Sequence, residues 1–111
     1  MNVTQDGLFL NTAAAGESDT VFLQTEDSLT LNVQGDAASF SARVLGMNRV
    51  QGVEVPVWQS LAAIQMADFT VVQSITKPGI YAVALSGLQG VKVVLDTVSG
   101  GKVTVFGRMG A

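Results

Sequence analysis

Residues 77–90 read Lys77-Pro78-Gly79-Ile80-Tyr81-Ala82-Val83-Ala84-Leu85-Ser86-Gly87-Leu88-Gln89-Gly90. Tyr81, Val83 and Leu85 alternate with Ala82 and Ala84, a period of two that turns one row of large side chains toward a core, as a half-buried strand does. Lys77-Pro78-Gly79-Ile80 carries the signature of a type II turn: proline presets φ at the second position and glycine tolerates positive φ at the third. Gly87 and Gly90 bracket a second turn. The stretch is a strand closed at both ends by turns.

The same pattern extends in both directions. Leu29, Leu31 and Val33 alternate with Thr30 and Asn32, and Phe40, Ala42 and Val44 with Ser41 and Arg43. Val53, Val55 and Val57 alternate with Glu54 and Pro56, and Val103 and Val105 flank Thr104. Residues 69–75 and 91–95 are rich in β-branched side chains, which favour strands. Glu26-Asp27 lies between two short apolar runs and predicts a tight hairpin, and Ser99-Gly100-Gly101-Lys102 predicts another between 91–97 and 102–107. Residues 57–66 read as a strand through Trp58 followed by a loop or a single helical turn; a full helix is the alternative, since Trp58, Leu61 and Ala62 stand at helical spacing. Turn signals at this density predict an all-β chain, an antiparallel β-sandwich of jelly-roll or Ig-like type with about eight strands.

The sandwich is expected over 19–111, with Phe40, Trp58, Tyr81, Val83 and Leu85 as core anchors. Asn11–Ser18 is a small, polar connection, so residues 1–18 form an N-terminal segment that is either an edge strand of the same domain or an arm on a neighbouring subunit. In the arm reading Met1, Val3, Leu8, Phe9 and Leu10 touch the partner. Met47, Met66 and Met109 lie near turns or the chain end, where exposed methionine serves as adaptable contact surface.

The 111 residues fit one domain. There is no Cys and no His, which removes disulfides, thiolate metal sites, and the Ser–His–Asp and Cys–His constellations. Paired carboxylates are the one catalytic arrangement left, but Glu17, Asp19, Glu26 and Asp27 read as solvated turn acids. The expectation is a protein that is not an enzyme and has no metal or cofactor. The net charge is −3, and the six basic residues Arg43, Arg49, Lys77, Lys92, Lys102 and Arg108 are scattered, which speaks against nucleic acid as partner. No apolar run reaches the roughly 18 residues of a membrane span. The N-terminus has no basic start and no apolar run of signal-peptide length, so the chain is expected to be made in the cytoplasm and carried out only within an assembly. Charged residues make up 14% of the chain and apolar ones 48%. Such a balance suits a surface partly covered by neighbours. An exposed Trp58–Tyr81 pair would instead make a sugar-stacking platform.

The segments Val57-Trp58, Gly79-Ile80-Tyr81-Ala82-Val83-Ala84-Leu85-Ser86-Gly87-Leu88, Gln89-Gly90-Val91-Lys92-Val93 and Gly100-Gly101-Lys102-Val103-Thr104-Val105-Phe106-Gly107-Arg108 occur in this order. Together they resemble a β-sandwich domain that recurs in virion proteins of tailed bacteriophages. The resemblance spans Phe40 to Gly107. It departs from the family before the tryptophan, where Asn48-Arg49-Val50-Gln51-Gly52 replaces an Asp-Gly turn. What the resemblance implies is a virion component: a capsid decoration (cement) protein whose partners are the major capsid protein and copies of itself, as a trimer or other symmetric oligomer. The alternative it implies is a tail-fibre or baseplate module that recognises host-surface glycan.

Overall fold

The structure, a computed structural model, describes residues 4–48 and 57–110. Met1 and Val3, and the expected strand through Val53 and Val55 as far as Pro56, lie outside the described residues. Within them the chain is all-β, with strands β1 (Thr4–Thr12), β2 (Gly16–Glu17), β3 (Val21–Phe22), β4 (Ser28–Gly35), β5 (Ser39–Asn48), β6 (Val57–Leu61), β7 (Ala63–Gln65), β8 (Thr70–Val72), β9 (Gly79–Ala84), β10 (Gly90–Ser99) and β11 (Val103–Gly110). They form two antiparallel sheets packed together. One has six strands in the order β1-β11-β4-β9-β7-β8; the other has five, β2-β10-β5-β6, with β3 also on β10. The count exceeds the expected eight because short pieces such as β2 and β7 carry no alternation long enough to recognise in sequence.

The long strands deliver one side chain in two to the space between the sheets. Leu29, Leu31 and Val33 from β4, Tyr81 and Val83 from β9, and Val103 and Val105 from β11 meet Phe40, Ala42 and Val44 from β5 and Val91, Val93 and Leu95 from β10 in one buried cluster. Full burial of a Val or Leu side chain contributes about 1.5–3 kcal/mol, so this interior holds the sheets together.

Two turns do something other than expected. Ser99–Lys102 is not a hairpin within one sheet, because β10 belongs to the five-stranded sheet and β11 to the six-stranded one. The β4–β5 link makes the same passage in the opposite direction beside it. Val103 stands opposite Gly35 and Ser99 opposite Ser39, so one two-stranded ribbon keeps its register round a corner. Backbone bonds tie the two links: Ala38 N–H to Ser99 O at 2.9 Å, and Asp36 N–H to Lys102 O at 3.1 Å. The Asp36 carboxylate accepts the Lys102 N–H at 2.8 Å. Gly100 (φ 75°) and Gly101 (φ 151°) adopt positive φ here, and a Cβ on Gly100 would approach that of Ala38 to 2.7 Å. The corner therefore requires glycine for both conformation and space.

Glu26-Asp27 likewise joins the two sheets, from β3 to β4, instead of closing a hairpin. Glu26, expected in solvent, is buried; its carboxylate accepts the N–H groups of Gln24 at 2.7 Å and Thr25 at 3.1 Å and so satisfies backbone donors that the passage leaves without a sheet partner. Residues 57–66 form no helix: β6 lies in the five-stranded sheet and β7 in the six-stranded one. A break at Ala62 moves the chain between layers.

The N-terminal segment is an edge strand. β1 pairs with β11 from Thr4–Gly110 to Thr12–Val103, with a register shift between Leu8 and Leu10. Phe9 sits in that bulge. An extra residue in one strand lets successive side chains turn inward, which accounts for three consecutive apolar residues: Leu8 points out, Phe9 packs on the core and Leu10 is buried in it. Gly107 supplies the room, since a Cβ there would collide with the Phe9 ring. The small polar connection after β1 is equally integrated. β2, Ser18 and β3 cover the free edge of β10, with Ser18 N–H donating to Val93 O at 2.8 Å and its Oγ accepting Val93 N–H at 2.9 Å.

Leu10→Ala is expected to lower unfolding free energy by about 2–4 kcal/mol, read by chemical denaturation of the isolated chain. An arm that packs only on a neighbour would leave that value unchanged.

Candidate interaction surface

Alternation exposes the other half of each strand, and on the six-stranded sheet that half is unusually apolar. One row across the sheet runs Leu8 (β1), Phe106 (β11), Asn32 (β4) and Ile80 (β9), and continues to Met66, whose N–H donates to Ile80 O at 2.9 Å. The next row runs Arg108, Thr30, Ala82, Ile64 and Val71. Leu8, Phe106, Ile80, Met66, Ile64 and Val71 are all exposed, with half of the Phe106 surface open to solvent. A shallow groove lies along Phe106 and Ile80, next to Thr30 and Asn32. Contiguous apolar surface of this kind marks a contact site more often than single exposed residues do.

The five-stranded sheet carries paired side chains across the middle of its outer face, and its exposed apolar residues, Phe22 and Val57, stand on the flanking strands β3 and β6. Arg43 forms a two-point ion pair with Asp96, Nε to Oδ2 at 2.7 Å and Nη2 to Oδ1 at 2.9 Å. Asp96 is the extra residue where β10 slips against β5, so the bulge aims the carboxylate at the guanidinium. That hydrogen bond, with the attraction of Arg43, holds the Asp96 carboxyl below its usual range. Lys92 lies 3.3 Å from Glu17 and 4.3 Å from the centre of the Trp58 ring, a cation–π contact. Trp58, expected among the core anchors, is thus half-buried on the outside of the sheet. Its place follows from being out of phase with Val57.

The remaining anchors, Phe40, Tyr81, Val83 and Leu85, are in the core. Of the residues expected to touch a partner, Leu8 lies on the apolar face, Phe9 packs against the core and Leu10 is within it. Met47 and Met109 are buried, and Met66 alone of the three methionines is exposed. Tyr81 is 2% exposed, so it forms no open platform with Trp58. Its hydroxyl donates to Lys77 O at 2.7 Å and pins the approach to β9; the expected type II turn does not form there, because Gly79, at φ 155°, already opens the strand. Ile80, Ile64, Phe106 and Val71 were not singled out from sequence. The signal was present: Ile80 and Phe106 are apolar in the outward phase of strands whose inward phase is already apolar.

Beside Tyr81 the sandwich has a polar mouth, formed by the β7–β8 hairpin and residues 74–77 and lined by Gln65, Asp68, Thr70, Ser74, Thr76 and Lys77. Hydrogen bonds from the Thr70 side chain and backbone hold the Asp68 carboxyl below its usual range. Among the described residues no group of three or more His, Cys, Asp or Glu side chains could hold a metal ion.

No protein-family model and no curated protein matches the sequence. Solved structures do match the fold. The SPBc2 prophage-derived protein YomS superposes with a TM-score of 0.86 at 18% identity, over 100% of this chain and 96% of that one. The PBSX exported protein XepA superposes with a TM-score of 0.85 at 20% identity, over 99% of this chain; the chain spans 38% of XepA. The domain is therefore an antiparallel two-sheet fold shared with phage-derived proteins.

Tyr81 is the single tyrosine, so tyrosinate absorbance reads it alone. Burial, reinforced by the negative charge of Asp68, pushes its phenol above the ordinary value, which is about 10. The fold favours the neutral form; its contribution is full below the unfolded value and is lost as pH rises through the higher folded one. Alkaline titration of the folded chain is expected to place the midpoint above that of the same chain in denaturant. Coincident midpoints would contradict the buried placement.

Proposed function

We propose that this chain is a phage structural protein that acts by protein–protein contact rather than catalysis, and that within this role it is a capsid decoration protein. The observation that carries the reading is the apolar outer face of the six-stranded sheet. Leu8, Phe106, Ile80 and Met66 lie in one row on a rigid scaffold, and removing such surface from water favours association by about 25 cal/mol per Å². The shared fold of two phage-derived proteins and the resemblance of Phe40–Gly107 to virion domains support the phage setting. The partners in this reading are the major capsid protein and copies of the chain itself. Symmetry on a shell multiplies a modest contact into stable attachment, which lets a face this small suffice.

The double variant Phe106→Lys, Ile80→Lys is expected to keep its circular dichroism spectrum and to lose co-sedimentation with particles of the phage that encodes the chain. Both side chains point to solvent, and surface substitutions ordinarily move stability by about 0.5 kcal/mol or less. Undiminished co-sedimentation of the folded variant would refute this use of the face.

A further inference from the structure

β1 is the long strand left with an unpaired side. It ends the six-stranded sheet, and among the described residues no strand pairs with its outer edge. The other sheet ends are short: β8 has three residues, β6 five, and β2 and β3 two each. A free edge offers backbone N–H and C=O groups to another chain, and proteins ordinarily guard it with Lys, with Pro or by keeping the strand short. Thr4–Thr12 contains no Lys, Arg or Pro. The bulge at Phe9 breaks only the second half of the edge, since Thr4–Leu8 keeps an unbroken register with β11.

A hole lies beside the regular half. Gly7 stands opposite Gly107, in the phase of β11 whose side chains Val103, Val105 and Met109 point into the core. The Phe9 ring takes the space that a Gly107 side chain would need, but a Cβ on Gly7 would meet nothing within 4 Å. Gly7 is not among the glycines with positive φ, so neither conformation nor packing within the chain requires glycine there. The empty inward position opens into a cavity of about 230 Å³, lined by Phe9 and Met109 from one sheet and by Ser18, Asp19 and Val21 from the other. Interiors are ordinarily close-packed, and an apolar cavity of about 150 Å³ already accepts a benzene ring.

A free edge beside a side-chain pocket is the combination that strand addition uses: main-chain hydrogen bonds give affinity and the pocket gives selectivity. A second β1 has nothing to place in the hole. Its Leu10 is in its own core, its Phe9 packs against that core, and its Leu8 points to the outer face. We propose that β1 receives an extended segment of the shell protein as a further strand of its sheet, with a large apolar side chain of that segment seated in the hole at Gly7. This rests on the decoration role proposed above and names a contact for it. The added strand continues the apolar face past Leu8. A Lys or Arg beside its apolar anchor matches Asp19, which has no ion pair among the described residues.

The test is hydrogen exchange read by mass spectrometry on the full chain, free and bound to particles of the phage that encodes it. Amides in residues 4–12 are expected to exchange about tenfold more slowly or better on the particle. Gly7→Leu fills the hole from within; it is expected to melt no lower than wild type and to weaken attachment by about tenfold or more. Attachment of the wild-type chain with residues 4–12 exchanging as in the free chain, or undiminished attachment of folded Gly7→Leu, would overturn the proposal and leave the decoration role standing. Slow exchange of residues 4–12 in a free chain that sediments as a dimer would assign the edge to a second copy and overturn it too. A wild-type chain that does not attach at all would contradict both readings.

Discussion

The structure depends on one bent ribbon. β4 and β5 run antiparallel to β11 and β10 without losing register as both cross from one sheet to the other, with Val103 opposite Gly35 before the corner and Ser99 opposite Ser39 after it. The sheets are therefore joined by hydrogen-bonded backbone as well as by side-chain packing. Gly100 and Gly101 set the corner, and Asp36 and Ala38 close over it. Because the register is common to both halves, the inward phase of β4 and β11 faces the inward phase of β5 and β10, and Leu31, Val33, Val103 and Val105 meet Val44, Val91, Val93 and Leu95 in one interior. A slip of one residue on either side of the corner would turn every one of these side chains outward.

What the ribbon leaves outside divides the molecule into unlike faces. The five-stranded side is closed by Arg43–Asp96 and by Lys92 between Glu17 and Trp58. The exposed ion pair there is worth little in itself, but these contacts give the outside of that sheet internal partners. On the six-stranded side Leu8, Phe106 and Ile80 face solvent with no such cover among the described residues. The two outer faces therefore differ: paired side chains occupy the middle of the five-stranded sheet, with Phe22 and Val57 exposed on its flanking strands β3 and β6, whereas apolar side chains stand open across the six-stranded one.

Much of this was legible in the sequence. The inward residues of β4, β5, β9 and β11 follow directly from alternation, because Leu29, Leu31, Phe40, Tyr81 and Val103 each keep the period of two. Pairing was less legible. Ser99-Gly100-Gly101-Lys102 announces a reversal, but glycine permits the sharp turn of a hairpin and of an inter-sheet corner equally, and only the partner link at Asp36–Ala38 decides between them. Glu26-Asp27 misled for a related reason: a buried carboxylate that bonds its own neighbouring N–H groups has the same sequence as a solvated turn acid. Leu8-Phe9-Leu10 was ambiguous because a bulge, which local sequence does not specify, turns Phe9 and Leu10 inward together. The apolar face was hidden by the alternation rule itself, which treats Ile80 and Phe106 as the outward half of a strand without asking why that half is not polar.

In the function proposed here the domain works by contact within a phage particle, with its six-stranded sheet as the working side. Electron cryo-microscopy of the particles released from cells that encode the chain tests this most directly. The account predicts density for the domain at symmetric positions on the capsid, with Phe106 and Ile80 turned into the contact. Particles that lack the domain, or that carry it with this sheet facing solvent and the Trp58 side buried, would contradict it.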